Sequence, residues 1–126
     1  MGIKLDMVGI VVEDMKRALD FYRLLGLNVP ESMNGEAHVE VDDGGVRFAF
    51  DTVEVAESVY GEWKPASGHR VELAFLCGSR QALDSLFEDI VKQGYVIHRD
   101  PWDAAWGQRY AIVVDPDGNL ISLFAS

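Results

Sequence analysis

The side chains with the most chemistry to offer are two indoles, one carboxylate and a few dispersed bases. Trp102 and Trp106 flank Asp103-Ala104-Ala105. Aromatic planes placed like this can sandwich a flat heteroaromatic ligand, and the neighbouring carboxylate would favour a cationic one. The same indoles would equally serve a subunit interface, where Trp is common. Glu72 opens the apolar run Leu73-Ala74-Phe75-Leu76. Buried there it would act as an acid or base, or pair with Arg47 or with an ammonium group on a ligand. His38 and Glu40 share one strand face by the period of two, while His69 lies just before the strand that contains Glu72 and His98 reads as solvated. The histidines are too scattered for a dyad or triad, and Ser122 has no nearby base in the sequence. Cys77, before Gly78-Ser79, reads as a small buried residue rather than a nucleophile.

These side chains need a scaffold, and the composition provides for one. The chain has 126 residues, 48% of them hydrophobic, enough for one domain or two very small ones with a packed core. A net charge of −10 argues against the phosphate backbone of nucleic acid and against an anionic membrane, and would draw in a cationic ligand. One cysteine excludes a disulfide framework within the chain and any multi-cysteine metal site, and suits a reducing compartment. The uncharged run 7–12, closed by Glu13 and Asp14, is far short of a signal segment or a membrane span. Asp6 replaces the Ser or Thr of a myristoylation signal. The expectation is a soluble cytoplasmic protein.

The positioning elements occur twice. Residues 5–12 read as a strand, Asp14 as a helix cap, and Met15, Ala18, Leu19, Tyr22 and Leu25 as an apolar stripe that Gly26 ends. Residues 71–77, Ser79, the stripe Ala82, Leu83, Leu86, Phe87, Ile90 and Val91, and Gly94 repeat that order. Val41-Asp42-Asp43-Gly44-Gly45 and Val114-Asp115-Pro116-Asp117-Gly118 then mark two hairpins with Asp and Gly at the bend. Met7 aligns with Glu72 at an offset of 65, and Gly45 with Gly118 at 73. The expected fold class is α+β: two tandem βαβββ modules in a single domain, the first about 4–51 and the second about 70–126. The connection, about 52–69, stays unassigned apart from a loop at residues 60–65.

The duplicated unit, with Val8-Gly9-Ile10-Val11-Val12-Glu13-Asp14 leading to Phe21-Tyr22 and Leu25-Gly26-Leu27, resembles the vicinal oxygen chelate superfamily. Its members are the glyoxalase, bleomycin resistance and extradiol dioxygenase proteins. Trp106-Gly107-Gln108-Arg109-Tyr110, followed by Asp115-Pro116-Asp117-Gly118-Asn119-Leu120-Ile121, is similar to that family's last hairpin. The resemblance spans essentially the whole chain. It implies a cupped mixed sheet with helices on the convex side, in many members completed by a second subunit. Enzyme members hold a divalent metal in the cup with a His on the first strand and a Glu on the last strand of each module. Those positions fall on Met7, Ala49 (or Phe48 after a one-residue slip), Glu72 and Ser122. A thioether suits such ions poorly, and only Glu72 is a plausible ligand. Alternation then aims Met7, Gly9, Val11, Arg47, Ala49, Asp51, Glu72, Ala74, Leu76, Leu120, Ser122 and Phe124 into the cup, an apolar lining with a few polar groups.

The resemblance thus implies a metal-free binding protein, without resident cofactor, that sequesters an antibiotic or another planar or cationic natural product. The residues expected to hold the ligand are Met7, His38, Arg47, Ala49, Glu72, Trp102, Trp106 and Ser122, in a homodimer. Metal-free antibiotic-binding relatives carry a Pro-Trp-Gly-Arg element that Trp106-Gly107-Gln108-Arg109 resembles. The alternatives are a lyase, isomerase or dioxygenase with a rearranged metal site built from Glu72 with His38, Glu40 or His69, and a metal-free enzyme using Glu72 for proton transfer.

Overall fold

Asp14 adopts extended backbone and its carboxylate accepts from the N–H of Arg17 at 3.0 Å, which satisfies an otherwise orphaned donor and starts a helix. The computed structural model describes residues 2–42 and 44–126, and its contacts fall into two units, Met1–Ala66 and Ser67–Ser126. In the first unit β1 (Met7–Val12) leads into α1 (Met15–Leu24), β2 (His38–Asp42), β3 (Arg47–Thr52) and α2 (Val53–Tyr60). The sheet order is β1-β3-β2, with β1 parallel and β2 antiparallel to β3. Ala18, Leu19, Phe21 and Tyr22 of α1 are fully buried. The Tyr22 ring lies 5.3 Å from that of Phe48 and 5.2 Å from that of Phe50, which fixes the face carrying Val8, Ile10, Val12, Phe48 and Phe50 as the one beneath α1. Each large side chain buried this way contributes about 1.5–3 kcal/mol.

The second unit runs β4 (Leu73–Leu76), α3 (Arg80–Lys92), β5 (Ile97–Asp103), β6 (Arg109–Val114) and β7 (Leu120–Ala125), with sheet order β4-β7-β6-β5. Ser79 caps α3 by accepting from the N–H of Ala82 at 3.0 Å. Leu83 and Ile90 are fully buried, as are Ala111, Val113, Ile121 and Leu123 of β6 and β7, two of the strands α3 covers. The turn between β6 and β7 is held by one carboxylate: Asp115 accepts from the N–H groups of Asp117 at 2.9 Å and Asn119 at 2.8 Å, and from Asn119 Nδ2 at 2.8 Å. Gly118, at φ 88°, takes the left-handed position that this turn requires.

The strand pairing bears out the repeat. Gly9 pairs with Ala49 in the first sheet, and Ala74 with Ser122 in the second. Adding 65 and 73 to the first pair gives the second, so the alignment holds in three dimensions. The α+β class and the two-module organisation stand, with three differences. Among the described residues the first module has two strands after its helix rather than three, because Arg23 reaches the carbonyls of Val29 and Pro30 and the side chain of Asn34, drawing residues 28–34 into a turn around Glu31–Met33. The connection contains α2, capped by Thr52, whose hydroxyl accepts from the N–H of Val55 at 3.4 Å. β1 and β4 are shorter than the expected strands, so Glu72 lies outside β4. Asp43, expected at the first hairpin bend, lies outside the described residues. No helix among the described residues is long and apolar enough to cross a membrane.

Candidate functional site

In the second sheet, pairing across the strands sets two rows side by side on one face. Ala74, Ser122, Ile112 and Arg99 form one, and Leu76, Phe124, Tyr110 and Trp102 the other. Arg109 projects from the opposite face, where its Nε donates to Asp84 of α3 at 2.8 Å. The two rows therefore face away from α3. Within them the Tyr110 ring lies 5.3 Å from Trp102 and 6.3 Å from Phe124, stacked on the latter. Trp106 closes the group edge-on, 5.6 Å from Tyr110 and 6.5 Å from Trp102. The result is a continuous aromatic shelf.

Trp106 sits at the tip of the β5–β6 hairpin. The N–H of Gly107 donates to the carbonyl of Ala104 at 3.0 Å and the N–H of Ala104 to the carbonyl of Gln108 at 2.7 Å, with Gly107 at φ 98°, the left-handed glycine of a short hairpin loop. Trp106 is 62% exposed, yet its Nε1 donates to Gln108 Oε1 at 2.9 Å. From the α3 side, Arg80 donates to Asp103 at 3.0 Å and to the carbonyl of Gly107 at 2.9 Å, and Arg109 donates to Asp103 at 3.1 Å. This corrects one expectation: Asp103 pairs with two arginines across the α3 face instead of offering a free carboxylate to a cation. The charge beside the indoles is positive, since the Arg99 guanidinium lies 3.5 Å from the centre of the Trp102 ring.

The first sheet presents a different face opposite α1. Met7, Gly9 and Val11, then Arg47, Ala49 and Asp51, then His38, Glu40 and Asp42 lie side by side there. His38 Nδ1 contacts Asp51 and its Nε2 lies 2.7 Å from Glu40 Oε2. The same Glu40 accepts from Arg47, whose other nitrogen donates to Asp6. Glu40 and then Asp51 raise the pKa of His38, and His38 and then Arg47 lower that of Glu40. When protonated, the ring donates from both nitrogens and has no lone pair left for a proton or a metal; in that state the ladder is an ion cluster. Arg47, one of the alternative partners for Glu72, is held by Glu40 and Asp6.

The four positions that the resemblance assigns to a metal carry a different donor set. Met7 and Glu72 are exposed, Ala49 is fully buried and Ser122 nearly so. Their donors are a thioether, a carboxylate and a hydroxyl, with none from Ala49, and these do not fit an ion that wants imidazoles and carboxylates. Among the described residues no group of three or more His, Cys, Asp or Glu is arranged to hold a metal. Glu72 is exposed and precedes its strand, so the burial that an acid or base role required is missing. Burial raises the pKa of Cys77, as suits an inert thiol.

The structure thus groups Met7, His38, Arg47 and Ala49 on one sheet, and Trp102, Trp106 and Ser122 on or beside one face of the other. Tyr110, Arg99 and Gln108 join the second group, although none of them is among the residues expected to hold the ligand. Tyr110 was recoverable from period-two spacing with Ile112 and Val114, whereas nothing in the sequence marks Arg99.

Solved structures with this fold include a glyoxalase/bleomycin resistance protein/dioxygenase family enzyme from Burkholderia phytofirmans, 22% identical over 98% of both chains, with a TM-score of 0.84. A glyoxalase-related enzyme from Fulvimarina pelagi is 18% identical, covering 98% of this chain and 88% of its own, with a TM-score of 0.83. A lactoylglutathione lyase from Agrobacterium tumefaciens is 16% identical, covering 98% and 93%, with a TM-score of 0.68. At these identities the likeness is one of fold. No protein with a curated description matches the sequence. The sequence pattern of one family matches residues 4–123, nearly the whole chain and both modules, and the protein belongs to the Glyoxalase/Bleomycin resistance protein/Dioxygenase superfamily.

Proposed function

We propose that this protein binds a planar aromatic small molecule on the shelf formed by Trp102, Trp106, Tyr110 and Phe124, and that it does so without the superfamily's metal. The observation that carries this reading is Trp106: a large indole, mostly exposed, yet fixed by Gln108 and by edge contacts to two other rings. An aromatic surface ordered in advance costs little entropy when a flat ligand stacks on it. The donor set at Met7, Ala49, Glu72 and Ser122 supports binding over metal chemistry. Planar natural-product antibiotics belong to this ligand class, and the superfamily's description includes bleomycin resistance proteins. The homodimer and the cytoplasmic location are parts of the same proposal, the latter supported by the single free Cys77.

The test is calorimetric titration with naphthalene-2-methanol, a flat neutral probe, followed by chromatography of the recovered probe. Saturable binding that weakens in Trp106→Ala, with the probe returned unchanged, supports the reading. Affinity that is absent, or indifferent to Trp106, overturns it.

A further inference from the structure

We propose that Arg99 is the anion-binding half of this site, so that the ligand is a planar aromatic acid: a flat ring system bearing a carboxylate or a comparable anionic group. The inference rests on the shelf being the binding surface and adds the class of molecule it takes.

The first observation is a fault in the strand pairing. β5 is the edge strand of its sheet and contains Pro101. Asp103 pairs with Arg109 and Trp102 with Tyr110, and continuing that regular pairing would set Arg99 opposite Val113, on the α3 face. The pairing instead slips between Arg99 and Trp102, so that Arg99 lies opposite Ile112, and slips again before Ile97, which takes Val113. Without the first slip a guanidinium would point at fully buried Val113. With it, Arg99 and Trp102 share the shelf. Bulges that re-aim one side chain are concentrated on edge strands and beside binding sites.

The second observation is how the guanidinium is held. Its flat face lies on the Trp102 ring at 3.5 Å, and stacking uses the face while leaving the in-plane N–H donors free. Among the described residues no carboxylate pairs with Arg99, whereas Arg80 and Arg109 on the opposite face are both paired. A fork of donors beside a stacking surface matches a carboxylate two-pronged while the attached ring lies on the aromatics. The net charge of −10 opposes anions only at long range: screening limits that effect to about 8–10 Å at physiological salt, and contact with the guanidinium decides within it.

Three naphthalenes of matched size test this by calorimetry: 2-naphthoate, naphthalene-2-methanol and 2-naphthylmethylammonium. The expected order is anion over neutral over cation, with 2-naphthoate at least tenfold tighter than the alcohol. In Arg99→Gln that ratio falls to about one, whatever the change in affinity for the alcohol itself, and Arg99→Lys, which keeps the charge but loses the fork, is intermediate. Equal affinity for acid and alcohol in the wild type, or an acid preference that survives in Arg99→Gln, overturns the role of Arg99 and leaves the stacking site standing. Failure of all three probes overturns both. Thermal unfolding of each variant confirms that the fold is retained.

Discussion

The indole N–H of Trp106 donates to Oε1 of Gln108 at 2.9 Å, two residues further along the same hairpin. This bond holds an exposed ring in one orientation, so the two residues should behave differently on substitution. Trp106→Ala removes the stacking surface and is expected to weaken naphthalene-2-methanol binding about two- to twelvefold, since an aromatic contact contributes about 0.5–1.5 kcal/mol. Gln108→Ala keeps the ring but frees it, and a loss of about two- to fivefold is expected from one hydrogen bond. Both variants should unfold within about 0.5 kcal/mol of the wild type, as chemical denaturation would show. A Gln108 effect larger than that of Trp106 would contradict the assignment.

The His38 ladder makes stability depend on pH. Its folded pKa lies above the ordinary 6.5 because Glu40 and Asp51 hold the protonated ring. A raised folded pKa gives stabilisation that is complete below about pH 6.5 and fades as pH rises through the folded value. Wild type should therefore lose stability from pH 6.5 upward more steeply than His38→Gln, in urea unfolding at a series of pH values. Glu40 has the opposite sign: its pKa is lowered from 4.5, so its contribution is lost on acidification. Parallel wild-type and His38→Gln curves would contradict the ladder.

Asp115 is nearly buried and its carboxylate holds the β6–β7 turn through three hydrogen bonds. Asp115→Ala leaves those donors without their partner and is expected to cost about 1.5–3 kcal/mol. Asp117→Ala, which keeps the backbone N–H that Asp115 uses, should cost less. The difference would be read from denaturant midpoints at unchanged m-value.

If the ligand sits on the shelf without a metal, chelation changes nothing. The affinity for naphthalene-2-methanol should be the same before and after dialysis against EDTA, and the same after addition of manganese, nickel or zinc. A chelator-sensitive affinity would mean that residues outside the four compared positions supply a metal site.

Much of this architecture is legible in the residues because it follows from local physics. The caps at Asp14 and Ser79, the helical stripes and the Asp-Gly bends are short-range signals, and two copies of them fix the pairing of Gly9 with Ala49 and of Ala74 with Ser122. His38 and Glu40 fall on one face because a strand alternates. What stays hidden depends on distant contacts. α2 carries Val53, Val55 and Val59, residues that favour strands, and buries only Ala56, so no stripe announces it. The missing third strand of the first module depends on Arg23 reaching across to the carbonyls of Val29 and Pro30. In the candidate site, Trp102 and Trp106 can be picked out by type and spacing, and Asp103 falls on the face opposite Trp102 by alternation, whereas the orientation of Arg99 depends on a slip in β5 that alternation alone would place wrongly.

The most direct measurement uses the three indole N–H signals of Trp63, Trp102 and Trp106 in a nitrogen–proton correlation spectrum, followed as naphthalene-2-methanol is added. Trp106 should shift most, Trp102 should follow with the same saturation curve, and Trp63, in the other unit, should stay in place. A shift confined to Trp63, or none at saturating probe, would contradict the claim that the aromatic shelf of the second unit is where this protein takes its ligand.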